Sequence, residues 1–161
     1  MSLLSHSMRA YYLPLAAGIV LAMSAFMPWM LIGDRGIGGL PSVAGFWVLG
    51  LGLLSALLAT LSVITRKNSR HPLLVVGLTA FAIVLLSEQW MERTTADQIW
   101  AQSQAQAIVS GTGATVTLPD PTMAPGAYLA LGAATVIVLF GMTIVVRRVS
   151  TPYAVGEDDD V

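Results

Sequence analysis

The chain reads as all-α, a four-helix transmembrane bundle of two hairpins with both termini on the same side. Three observations predict this. Of its 161 residues, 55% are hydrophobic and only 11% are charged, against about a quarter charged in a soluble domain. Four apolar runs of bilayer-crossing length, about 11–32, 43–65, 72–90 and 125–146, take up more than half the chain. The third observation is where the cations sit. Arg9, Arg66, Lys67, Arg70, Arg147 and Arg148 fall at one end of these runs, and only Arg35 and Arg93 at the other. By the positive-inside rule both termini and the basic turn are cytoplasmic, and residues 91–123 lie outside. A single integral membrane domain over 1–161 follows, with an acidic cytoplasmic tail at 149–161.

The first run opens after a short polar lead containing Arg9. Ala22-Met23-Ser24 would pass as a signal-peptide cleavage site, but the run is roughly 22 residues, longer than the 7 to 15 of a signal h-region. It is therefore read as a span of about 33 Å, enough for a hydrocarbon core of about 30 Å. Pro14 sits in its first turn, where a missing N–H costs little, and Pro28 bends or ends it.

Residues Gly33 to Ser42 read as a tight, glycine-rich exposed turn. The stretch Gly36-Ile37-Gly38-Gly39 is not a phosphate loop: no strand is predicted before it and no Gly-Lys-Ser/Thr follows. The second run opens with Phe46 and Trp47 at interface depth. It carries Gly52, Ala56 and Thr60 at four-residue spacing, a stripe that lets helix backbones approach in lipid. The basic turn Arg66, Lys67, Asn68, Ser69, Arg70, His71 then joins the two hairpins.

Pro72 opens the third run, which ends near Trp90 and leaves Glu88 at headgroup level. Beyond it, Thr95-Ala96-Asp97-Gln98 matches a capping box, so a helix over Ala96–Val109 is expected, either separate or continuing the third span. Gly111 and Gly113 end it. Ala114 to Leu118 alternates and is rich in β-branched residues, which predicts a short extended piece before Pro119-Asp120-Pro121 turns the chain back. The fourth run carries Gly126, Ala130 and Ala134, again spaced by four, and Arg147 and Arg148 stop it.

No Asp, Glu, Lys, Arg or His falls in the central part of any run. Proton relays, voltage sensors and coupled transporters normally need one there. The polar groups at depth are Ser24, Ser55, Thr60, Ser62, Thr79, Thr135 and Thr143, hydroxyls able to bond their own helix's carbonyls. Cysteine is absent, which removes disulfides, thiolate metal sites and thiol nucleophiles. No catalytic residue and no metal site is expected. Glu88, Glu92 and Asp97 lie close enough to hold a cation, and an exposed acidic helix start accounts for them equally well. No cofactor is expected, although a bound lipid fits the composition. Trp29, Trp47, Trp90 and Trp100 are expected as interfacial aromatics; a ring cluster holding a pigment or quinone is the sharper alternative.

Phe26-Met27-Pro28-Trp29, the glycine-rich turn after it, the basic loop and Gly126-Ala127-Tyr128-Leu129-Ala130-Leu131 together resemble small four-span bacterial membrane proteins with a Pro-Trp signature. The resemblance implies a bacterial cytoplasmic (inner) membrane and no particular chemistry. Claudin-like, tetraspanin and four-helix thiol oxidoreductase architectures depend on cysteines that this chain lacks. The leading expectation is a non-enzymatic accessory or structural subunit of a larger membrane protein complex. The alternative is a small-solute or lipid carrier working as an oligomer around Ser55, Thr60 and Ser62. Its partners would be the bilayer and other membrane subunits, with no nucleic acid.

Overall fold

The computed structural model describes residues 10–32, 35–65, 69–111 and 120–149. Four helices are present among them: α1 (Tyr12–Ser24), α2 (Val43–Thr65), α3 (Arg70–Ser110) and α4 (Pro125–Val149). Helix α1 packs on α2 and α4, and α3 packs on α4 and α2, so the four close into a bundle. Its core is built from Leu21, Val48, Leu73, Val84, Ala130 and Ile137.

The protein is mostly helical but not all-α. Three short strands, β1 (Pro28–Ile32), β2 (Arg35–Gly38) and β3 (Thr122–Met123), form an antiparallel sheet in the order β2-β1-β3 at one end of the bundle. This corrects two expectations. The first apolar run is not one helix to Ile32, and the glycine-rich stretch after it is half of a hairpin rather than a free turn. Pro28 is the physical reason: it has no N–H for the ladder and its ring clashes with the carbonyl four residues back, so the helix unwinds before it. Helix α1 has 13 residues, about 20 Å at 1.5 Å per residue. It is too short to cross a hydrocarbon core of about 30 Å by itself.

Helices α2, residues Arg70–Ser87 of α3, and Pro125–Thr143 of α4 are each long and apolar enough to cross a membrane. Ser42 caps α2, its hydroxyl accepting from the Gly45 N–H at 3.0 Å while donating to the Gly39 carbonyl. The third apolar run and the helix expected over Ala96–Val109 are one continuous helix of 41 residues, about 62 Å long. Gly111, at φ 67°, closes it in the left-handed conformation that glycine adopts without steric cost. Arg66, Lys67, the extended piece expected over 114–118 and the acidic tail from 150 onward lie outside the described residues.

Candidate functional site

The sheet end holds the most closely determined constellation in the molecule. A helix that stops inside a bundle leaves its last carbonyls without intrahelical partners, and Ser24 at the end of α1 is buried. Every one of those carbonyls is nevertheless satisfied. The Ser24 hydroxyl donates to Leu21 O at 2.6 Å. The Ala25 and Phe26 amides donate to Ala22 O and Met23 O, and the Leu40 amide to Ala25 O at 2.9 Å. Ser24 O accepts twice, from the Met27 amide at 3.1 Å and from the Trp29 indole Nε1–H at 2.8 Å.

Trp29 is the centre of this knot, with 4% of its surface exposed. The β1–β2 register runs Pro28↔Gly38 and then Met30↔Ile37, so two residues of β1 pass one on β2. The result is a bulge at Trp29, which re-aims its side chain. That is why Trp29 and Met30, adjacent in the strand, are both buried. Room for the ring comes from glycine: a Cβ on Gly39 would lie 2.6 Å from its Cε2, and one on Gly126 3.0 Å from its Cδ1. A Cβ on Gly126 would also lie 2.5 Å from Pro28 O, and the Ala124 amide donates to Trp29 O at 2.9 Å.

The interfacial assignment of Trp29 is therefore corrected: its ring is inside the protein, and its indole N–H is used by the chain. Trp47 (60% exposed) and Trp100 (57%) are on the surface. Trp90 lies on α3, outside the described side chains. Position near the end of an apolar run does not distinguish a ring facing lipid from one facing the bundle. The bulge that makes the difference has no signature in the residues of β1.

Of the small-residue positions, Gly52 and Ala56 fall where α2 meets α1, and Gly126 faces β1. A Cβ on Gly52 would sit 2.6 Å from Ala22 N and one on Gly18 2.8 Å from Ala56 N, so α1 and α2 touch backbone to backbone. Gly52 is buried, while Ala56 and Thr60 are half-buried and the Thr60 hydroxyl donates to Ala56 O at 2.8 Å. Gly126, Ala130 and Ala134 are all buried on α4. Gly77 on α3 and Gly141 on α4 do the same work between those two helices. Neither belongs to a four-residue stripe, and glycine inside an apolar helix was the available signal. Six of the seven hydroxyls at depth bond a carbonyl of their own helix. Ser55 does not: its Oγ is buried without a partner, beside Gly18.

At the opposite end, Arg70 places its guanidinium 5.5 Å from the centroid of the Phe140 ring, and the Tyr11 ring meets Phe140 edge-on at 5.0 Å. The Ser69 amide donates to Tyr11 Oη at 3.3 Å. A cation over an aromatic face is attracted to the ring quadrupole, so Arg70 ties α3 to α4 in addition to carrying charge, and Phe140 in turn meets Tyr11 at the start of α1. Arg147 and Arg148 lie in the last turn of α4. Among the described residues no three His, Cys, Asp or Glu groups converge to hold a metal.

These elements define a mostly helical protein with three helices long and apolar enough to cross a membrane, tied at one end by a three-stranded sheet. Among known proteins, no family model, no curated protein and no solved structure matches this chain.

Proposed function

We propose that the chain is a non-enzymatic integral membrane protein that serves as an accessory or structural subunit of a larger membrane assembly. In this reading the first crossing is made by α1 together with the β1–β2 hairpin, giving four passes with both termini in the cytoplasm of a bacterial inner membrane. The six-to-two distribution of cations supports that orientation.

The observation that carries the proposal is the outer half of α3. Beyond Ser87 the helix runs on to Ser110, and its described side chains from Asp97 to Ser110 are mostly exposed, including Trp100, Ile108 (80%) and Val109 (88%). A polar helix draws most of its stability from packing that this arm does not obtain from its own chain. A second subunit would supply it. The charge-free interior of the apolar helices points the same way, because it leaves no ionisable relay at depth.

Mild detergent extraction followed by native sizing tests this. The expected result is a particle larger than one chain, from which a second protein is lost in a Trp100→Glu variant. A monodisperse, partner-free single chain would overturn it.

A further inference from the structure

We propose that the cleft between the sheet end of α2 and the middle of α3 is a binding site for a phospholipid acyl chain. It rests on α2 and α3 lying in a bilayer and is independent of the subunit reading. The cleft has a volume of about 360 Å³, at the lower end of the ~300–1,000 Å³ usual for small-ligand sites. Its walls are apolar, Ala44 and Trp47 on α2 facing Ile83 and Leu86 on α3. From Ile83 to Gln89 the α3 wall rises six residues, about 9 Å.

Polarity is graded along the α3 wall, while Val43, Ala44 and Trp47 keep the α2 wall apolar. Ser87 and Gln89 stand at the end where the apolar part of α3 finishes, and Ile83 and Trp47 stand deeper. That order matches an amphiphile inserted tail first, with the glycerol ester region at the mouth, where the Gln89 amide can donate to an ester carbonyl. The described lining residues are all uncharged, so they select the chain and not the headgroup charge. A second cleft, between α1 and α4, has a similar volume of about 320 Å³; Leu13, Ala16 and Val20 of α1 face Tyr128, Gly132 and Val136 of α4, and it has no side-chain amide. It serves as an internal control.

The test is native mass spectrometry of the full chain in detergent, with added phosphatidylcholine or phosphatidylglycerol of matched acyl chains. One retained lipid per chain is expected, with equal occupancy for both headgroups. Leu86→Trp, at a position already 66% exposed, and Ala44→Trp fill the cleft. Each should lower occupancy about fivefold, comparable to losing one or two buried methylenes. Ala16→Trp, in the control cleft, should leave it unchanged. Absence of an adduct, an adduct indifferent to both filling variants, or an equal loss in Ala16→Trp would each overturn the site. A chain that stays dispersed without detergent would overturn the membrane reading and the site with it.

Discussion

At the scale of single residues, the interior distinguishes groups that sequence treats alike. Ser24 and Ser55 are both serines within apolar runs, yet Ser24 closes a helix end while the Ser55 hydroxyl is buried at 0% exposure with no partner. Burying a hydroxyl without a hydrogen bond costs about 1–3 kcal/mol. Ser55→Ala should therefore leave thermal stability in detergent unchanged or raise it, and Ser24→Ala should lower it. Glycines separate in the same way. Gly52→Ala forces a methyl against the backbone of Ala22 and should destabilise by about 1–3 kcal/mol. Gly50, two residues away, has nothing within 4 Å of its added Cβ. Gly50→Ala should be neutral or stabilising by up to about 1 kcal/mol from helix propensity. Trp29→Phe keeps most of the ring but removes the donor to Ser24 O. It should cost about 1–3 kcal/mol, read as a lower unfolding midpoint.

At the scale of elements, α1 departs from expectation, while α3 takes one of the two forms expected of it, a continuation of the third span. Helix α1 is shorter than its apolar run because Pro28 ends it, and the residues after Pro28 are apolar enough that composition alone cannot tell strand from helix. Thr122–Met123 is too short to show any period, yet it supplies the second edge partner of β1. Helix α3 is longer than its apolar run because no residue between Glu88 and Thr95 breaks a helix; the capping box over Thr95–Gln98 marks no boundary. Helices α2 and α4 were legible because uninterrupted apolar stretches of their length have one stable form in lipid. The site was legible only in part: small-residue spacing located Gly52 and Gly126, while the role of Gly126 in seating Trp29 depends on a pairing between distant segments. Hydrogen exchange should divide α3 in two, with amides of Val76–Val84 protected by the bundle and those of Gln98–Ser110 exchanging faster.

At the scale of the whole molecule, the proposed topology puts the basic end and the α3 arm on opposite faces of the membrane. Because cysteine is absent, His71→Cys and Trp100→Cys each introduce a single reporter. An impermeant thiol reagent applied from outside should label position 100 in intact cells and position 71 only after permeabilisation. Labelling of both from the same side would remove the four-pass topology.

The sheet also bears on how the protein is made. Strand β1 belongs to the first helical pair, but one of its edges is completed by Thr122 and Met123, which the ribosome delivers some ninety residues later. Until then that edge of β1 carries unpaired amides and carbonyls, and an open strand edge invites misassociation. The sheet is therefore completed late: a chain truncated before Thr122 keeps the β1–β2 hairpin but leaves the other edge of β1 without its partner.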